Sequence, residues 1–222
     1  QSNCLSVEPL ETDLGRKRTI NQSTCNKDTS CLKGFCPSFV TVEGGTFKKK
    51  SSSSTSALSP AHLGPLPEPE LPVITQPWGM VVAGVGGTGV ITIGQLLGMA
   101  AHMEGKGIVT QDSAGLAQKG GATWSHVLVA NTQDEIRTTR VSMAAADLII
   151  GCDPIVSASK ETTLRIRAGR THVALNSNST PTAAFVKNGN WQNPAERCVS
   201  EITAQVGVDG VGSFDADTLA KQ

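Results

Sequence analysis

Gly79-Met80-Val81-Val82-Ala83-Gly84-Val85-Gly86-Gly87-Thr88-Gly89 is the stretch that decides the fold. Its first five residues form a short apolar run, the pattern of a strand buried on both faces. Gly84-x-Gly86-x-x-Gly89 follows without a break, and beyond it Val90, Ile93, Leu96, Leu97, Ala100 and Ala101 recur at helical spacing. Gly105 and Gly107 supply a helix stop, and Ile108-Val109-Thr110 reads as the next strand. Strand, glycine loop, helix and strand make one mononucleotide-binding unit, in which backbone amides at a helix N-terminus meet a phosphate. Gly84, Gly86, Gly87, Thr88 and Gly89 are therefore candidate ligand contacts. Tight strand-to-helix turns also need glycine for packing alone, so an architectural role stands beside the binding one.

Working outward, Asp112 lies about twenty residues past Gly89, where a ribose-binding acid is expected in such a unit. An N-cap or a solvated turn residue is the other reading of that aspartate. The stretch 113–121, ending in Lys119-Gly120-Gly121, is too rich in glycine and small residues for a comfortable helix. It falls where an α/β sheet keeps ligands, so Lys119, Gly120 and Gly121 are candidates for a second phosphate contact or for a plain surface turn. Thr123 to Ala130, Asp147 to Gly151 and His172 to Asn176 read as further strands, with helices at Ala144-Ala145-Ala146 and from Lys160 to Arg170. Asn176 ends its strand on the ligand-bearing side, as a contact or as a turn former. The expected fold is α/β, Rossmann-like, with a mostly parallel sheet. His126 and His172 have no partner at metal-ligand spacing and read as structural, while Cys152 and Cys198 read as ordinary packing. No Ser-His-Asp pattern, paired carboxylates or catalytic cysteine box is evident.

Upstream the composition changes completely. Lys48-Lys49-Lys50 leads into Ser51-Ser52-Ser53-Ser54-Thr55-Ser56 and then Pro60, Pro65, Pro67, Pro69 and Pro72. That is a linker, flexible first and stiffer later. It divides the chain into a small irregular segment at 1–47, the Ser/Pro-rich linker at 48–75, and a globular domain at 76–222 of ordinary size for one core.

The segment before the linker holds Cys4, Cys25, Cys31 and Cys36, the last followed by Pro37, and has too few large apolar residues for a core. A metal centre would order it. A five-residue gap and then a four-residue gap fit zinc knuckles poorly, and proline after the last cysteine is a feature of bacterial ferredoxins. Spacing alone keeps iron–sulfur, zinc, disulfides and a chance placement of unrelated buried cysteines open, in that order. The chain opens on Gln1-Ser2-Asn3-Cys4 without Met or a secretory signal, so it reads as an internal piece of a longer protein, and its end at Gln222 reads as a truncation within a helix.

The 222 residues carry 19 basic and 19 acidic side chains, which gives no general argument for nucleic-acid or membrane binding. Residues 1–50 nonetheless carry a net of +3 and the remainder −3, which suits an acidic redox partner for the cysteine segment or merely a solvated linker start. No window approaches the roughly twenty apolar residues of a membrane span, so a soluble, cytoplasmic chain is expected.

Ile20 through Asp28 and Ser30 through Gly45, which enclose Cys25, Cys31 and Cys36, resemble the cluster segment of fused indolepyruvate:ferredoxin oxidoreductases. Gly84 to Val90 and Gly115-Leu116-Ala117-Gln118-Lys119-Gly120-Gly121 resemble the gamma domain of the same family, and the three motifs occur in the family's order. The resemblance implies an enzyme that oxidatively decarboxylates 2-oxoacids with coenzyme A, giving acyl-CoA and passing electrons through iron–sulfur clusters to ferredoxin. It implies Cys4, Cys25, Cys31 and Cys36 as ligands of a 4Fe-4S cluster, with Cys4 replaceable by a cysteine further upstream. Thiamine diphosphate and magnesium would sit in domains not recognisable here, and the remaining domains, ferredoxin and further copies of the full enzyme would be the partners. This piece would supply an electron relay and a scaffold or lid, and would be inactive alone. A reading from another class is a stand-alone NAD-binding Rossmann domain with a structural zinc appendage.

Overall fold

A computed structural model describes residues 6–21, 25, 43–45, 68, 73–114, 121–179, 181, 188 and 190–221. Cys4, Cys31, Cys36, Lys119, Gly120 and most of the linker lie outside the described residues. The chain divides into two compact units, residues 1–28 with 74–222, and residues 29–73. The elements below all belong to the first.

Strands β1 (Val7–Leu10) and β2 (Lys17–Ile20) form an antiparallel hairpin with Val7 opposite Ile20. Its turn closes because Gly15, at φ 87°, donates to the Thr12 carbonyl at 2.9 Å. The segment expected to be irregular therefore carries a hairpin, which alternating polar residues and a single glycine were too short to announce.

The main sheet has six strands: β3 (Trp78–Val85), β4 (Gly107–Ala114), β5 (Ala122–Ala130), β6 (Leu148–Gly151), β7 (His172–Asn176) and β8 (Val211–Phe214). Their spatial order is β4-β5-β3-β6-β7-β8. From β3 to β8 every neighbouring pair is parallel, whereas β5 runs antiparallel to both β3 and β4. This is the mostly parallel α/β sheet the alternating pattern predicts, with one difference. β4 is parallel to β3 but does not lie beside it, because β5 fills the gap.

Helix α1 (Val90–Met103) connects β3 to β4 and lies over β4 and β5. Two glycines set how closely it lies. A Cβ on Gly94 would fall 2.1 Å from Ser125 Oγ, and one on Gly98 would fall 2.8 Å from Thr110 Cγ2. On this face Met80, Val127 and Val129 are buried with Leu97, Ala101 and Ile108 packed on them. The opposite face is the larger core. There Val81, Leu128, Ile149, Val173 and Leu175 meet Ile202 and Val206 of helix α4 (Ala195–Val206), which buries Cys198, Ile202 and Val206 at successive helical turns.

Two expected helices are absent or shortened. Ala144-Ala145-Ala146 is a turn with Ala144 at φ 51°, and its backbone is taken by another partner: Ala144 N–H donates to Leu164 O and Ala146 N–H to Arg165 O. Three alanines do not nucleate a helix when tertiary bonds compete. The helix expected from Lys160 to Arg170 is one turn, α3 (Lys160–Thr163), preceded by the single turn α2 (Pro154–Ser157). Thr162 and Thr163 are weak helix formers, and the Thr162 hydroxyl donates to Val156 O at 2.9 Å instead. A last helix, α5 (Ala216–Lys221), follows β8.

Candidate functional site

The glycine turn stands at the carboxyl end of β3, between strands on either side and the start of α1. Gly87 at φ 101° and Gly89 at φ 86° occupy left-handed backbone that a side chain disfavours. Gly84 is needed for a different reason: a Cβ there would lie 2.5 Å from Thr88 Oγ1 and 2.9 Å from both Cys152 Cβ and Val90 Cγ2. The turn closes on itself, since the Thr88 amide and hydroxyl both donate to Val85 O, at 3.0 and 2.7 Å.

The Gly86 amide donates to Gly121 O at 2.7 Å, which brings Gly121, a residue that the sequence marks separately, against the glycine turn. The amides of Gly86 and Thr88 are thus engaged by the protein itself. The first bond of α1 runs from Ile93 N–H to Gly89 O at 2.9 Å, so the amides of Val90, Ile91 and Thr92 precede the helical ladder and have no intrahelical acceptor. No side chain caps this end and its first turn holds no acidic residue. The partial positive charge of the helix is left without a side-chain anion at this end, and Gly87 of the turn before it is exposed.

Asp112 lies on β4, opposite Ser125, two strands away from β3. Its side chain is exposed and leans over α1, with Oδ1 3.8 Å from where a Gly94 Cβ would sit. Asn176, at the end of β7, is a staple. Its Nδ2 donates to Cys152 O at 3.2 Å and its Oδ1 accepts from the amides of Asn178 at 3.1 Å and Ala216 at 3.0 Å. Cys152 sits half-buried against Gly84 in no disulfide, and burial followed by the neighbouring Asp153 pushes its thiol up to about 11. It is protonated at neutral pH and inert as a nucleophile.

Of the four candidate cluster cysteines Cys25 is the described one, half-buried and in no disulfide. Among the described residues no group of three metal-capable side chains converges. A thiol is a donor type suited to iron, and Cys25 offers its sulfur without a competing covalent bond.

Two residues outside the sequence-derived candidates order this region. Asp147, 7% exposed, accepts from Gly79 N–H at 2.8 Å and from Arg170 Nε at 2.6 Å, fixing the start of β3 against β6. Asp153 is fully buried and caps α2, its Oδ1 accepting from Ile155 at 2.8 Å and Val156 at 3.1 Å. An Asp-Pro start to a helix is legible; a pairing across twenty-three positions is not.

Residues 79–221 match the model of the family described as pyruvate ferredoxin/flavodoxin oxidoreductase. Over 75 residues the chain is 33% identical to the indolepyruvate oxidoreductase subunit IorB of Archaeoglobus fulgidus, covering 34% of this chain and 35% of that one. Against the subunit of the same name from Methanothermobacter thermautotrophicus it is 23% identical over 143 residues, 64% of this chain and 68% of the other. The first match thus spans about a third of its relative's length. Among solved structures, the pyruvate oxidoreductase subunit PORC of Thermotoga maritima superposes with a TM-score of 0.43 at 16% identity, covering 66% of each chain. The 2-oxoglutarate:ferredoxin oxidoreductase of Magnetococcus marinus, solved with 2-oxoglutarate, coenzyme A and succinyl-CoA bound, gives 0.43 at 14% identity, covering 66% of this chain and 21% of that one.

Proposed function

The chain belongs to the pyruvate ferredoxin/flavodoxin oxidoreductase family, and from that premise we propose that it is the gamma-like part of a 2-oxoacid:ferredoxin oxidoreductase with indolepyruvate as its 2-oxoacid. In this reading residues 76–222 form the gamma-like domain, 48–75 the linker and 1–47 the cluster segment. The reaction joins a 2-oxoacid to coenzyme A with loss of carbon dioxide, and the electron pair released leaves one electron at a time for ferredoxin. Thiamine diphosphate with magnesium, held by other domains of the enzyme, supplies the decarboxylation chemistry. A cytoplasmic setting goes with this role, and no helix among the described residues is long and apolar enough to cross a membrane.

The observation that carries the binding part is the uncapped start of α1 behind a left-handed glycine turn. Gly87, Gly89 and the first-turn amides would hold a phosphate of coenzyme A, with Lys119 and Gly120 adding a second contact beside Gly121. Asp112 would meet the sugar or orient the helix. The thiolates of Cys25, Cys31 and Cys36, with Cys4 as the fourth, would hold a 4Fe-4S cluster that relays single electrons. The engaged amides of Gly86 and Thr88 and the crowding at Gly84 favour a second reading, in which this turn packs and shapes the active site without binding a nucleotide.

Calorimetric titration with coenzyme A and with NAD separates the two. Heat with coenzyme A supports the phosphate site, heat with NAD alone supports a stand-alone dinucleotide domain, and no heat with either leaves the architectural role. Iron and acid-labile sulfide in anaerobically produced protein, lost on Cys25→Ala, Cys31→Ala or Cys36→Ala, test the relay; zinc without sulfide would sink it.

A further inference from the structure

The sheet face opposite α1 carries a polar cluster that the glycine turn does not use. Gln111 of β4 and His126 of β5 are direct cross-strand partners, and Ser113 pairs with Trp124 one step further along. The segment between β5 and β6 lays Arg140 over them, and its Nη2 donates to Ser113 Oγ at 2.6 Å. From α3 and the turn after it, Trp124 Nε1 is met by Thr162 Oγ1 at 2.9 Å, and Arg165 joins Glu161 through Nη2 at 2.8 Å and through Nη1 to its carbonyl. His126 is 1% exposed and Arg165 9%.

Three buried polar atoms of this cluster have no hydrogen-bond partner among the described residues: Gln111 Oε1, His126 Nδ1 and Arg165 Nε. Each such atom costs about 1–3 kcal/mol when left dry, so something is expected to answer them. The charges say what. Burial first, then Arg165 and Arg140, disfavour the charged form of His126, and among the described residues Glu161 opposes them with a carboxylate already bonded to Arg165. The surplus is one positive charge over a neutral imidazole. Arg165 Nε–H, the Arg140 guanidinium, the Nδ1–H tautomer of His126 and the Gln111 amide turned end for end all present donors.

We propose that Gln111, His126, Arg140 and Arg165 bound an oxyanion site, distinct from the glycine turn, that takes a small carboxylate or phosphate. His126 stands opposite Val81, three residues before Gly84, so the site lies about 10 Å down β3 from the turn and on the other side of the sheet. It does not depend on the reaction proposed above.

The four histidines of the chain make the test direct. In the full chain labelled at histidine, the Cε1–H signal of His126 is followed by NMR against sodium pyruvate, inorganic phosphate and, at matched ionic strength, sodium chloride. The expected result is a saturable shift with one or both oxyanions at millimolar concentration, an upward move of the His126 midpoint by about one unit or more, and no such response to chloride. Pyruvate alone identifies a carboxylate site, and phosphate alone a phosphate site. Arg140→Gln, at an exposed position, weakens the response about tenfold, as loss of a charge-assisted hydrogen bond requires, while the His102 and His172 signals report an intact fold. No saturable shift with either oxyanion, an equal response to chloride, or an unchanged response in Arg140→Gln would overturn the assignment and leave a water-filled cluster.

Discussion

The amide of Gly86 donates to the carbonyl of Gly121 at 2.7 Å, joining the turn after β3 to the residue that precedes β5. Gly86 belongs to the glycine turn and Gly121 directly precedes β5. The turn continues through Gly87 and Gly89, both at positive φ.

Replacing Gly87 or Gly89 by alanine is therefore expected to cost about 1–2 kcal/mol each from left-handed strain. Urea denaturation of the two variants measures this. Midpoints equal to the parent would mean that the turn relaxes without strain.

At Gly94 two effects compete. Alanine gains about 1 kcal/mol of helix propensity, but its Cβ would fall 2.1 Å from Ser125 Oγ and 2.8 Å from Ser125 Cβ, on a fully buried residue. Overpacking costs about 1–3 kcal/mol and is expected to win. Gly94→Ala should be destabilised, and Gly94→Ala with Ser125→Gly should recover part of the loss. A stabilised single variant would show that α1 moves freely off the sheet.

Asp147→Ala removes the acceptor of both Gly79 N–H and Arg170 Nε. Leaving a buried amide without a partner and losing an ionic hydrogen bond together predict a loss of about 2–4 kcal/mol. Asp147→Asn keeps one acceptor oxygen and should lose less. Equal stability of the two variants by thermal or urea unfolding would refute the account.

His126 links folding to pH. Burial first, then Arg165 and Arg140, lower its pKa from 6.5 to about 4 in the folded chain, with Glu161 opposing them. The unfolded chain then binds the extra proton between about pH 6.5 and pH 4, so this contribution to stability is complete above pH 6.5 and is lost as pH falls toward 4. The full span is worth about 3 kcal/mol. Comparing unfolding free energies at pH 7 and pH 5 for the parent and His126→Gln reads it out: the parent should weaken more steeply, and parallel losses would remove His126 as the cause.

The resemblances and periodicities carried much of this architecture. Val81 to Ala83, the helical repeat from Val90 to Ala101 and the strand His172 to Asn176 are fixed by local burial pattern, which sequence records directly. Short elements fared worse. The Ala144–Ala146 turn and the single-turn α3 are decided by Leu164 O, Arg165 O and Val156 O, acceptors supplied from elsewhere in the chain.

By itself, then, the sequence determined the α/β class, the glycine turn and the strand and helix that flank it, because each depends on residues within a few positions of one another. Only the tertiary structure decided that β5 separates Asp112's strand from β3, that Gly121 closes on Gly86, and that Gln111 pairs with His126 while Arg140 reaches Ser113 two residues further along β4. Strand order and cross-sheet pairing join residues far apart along the chain, and the free energy that selects them resides in burial and hydrogen bonds that no local pattern encodes.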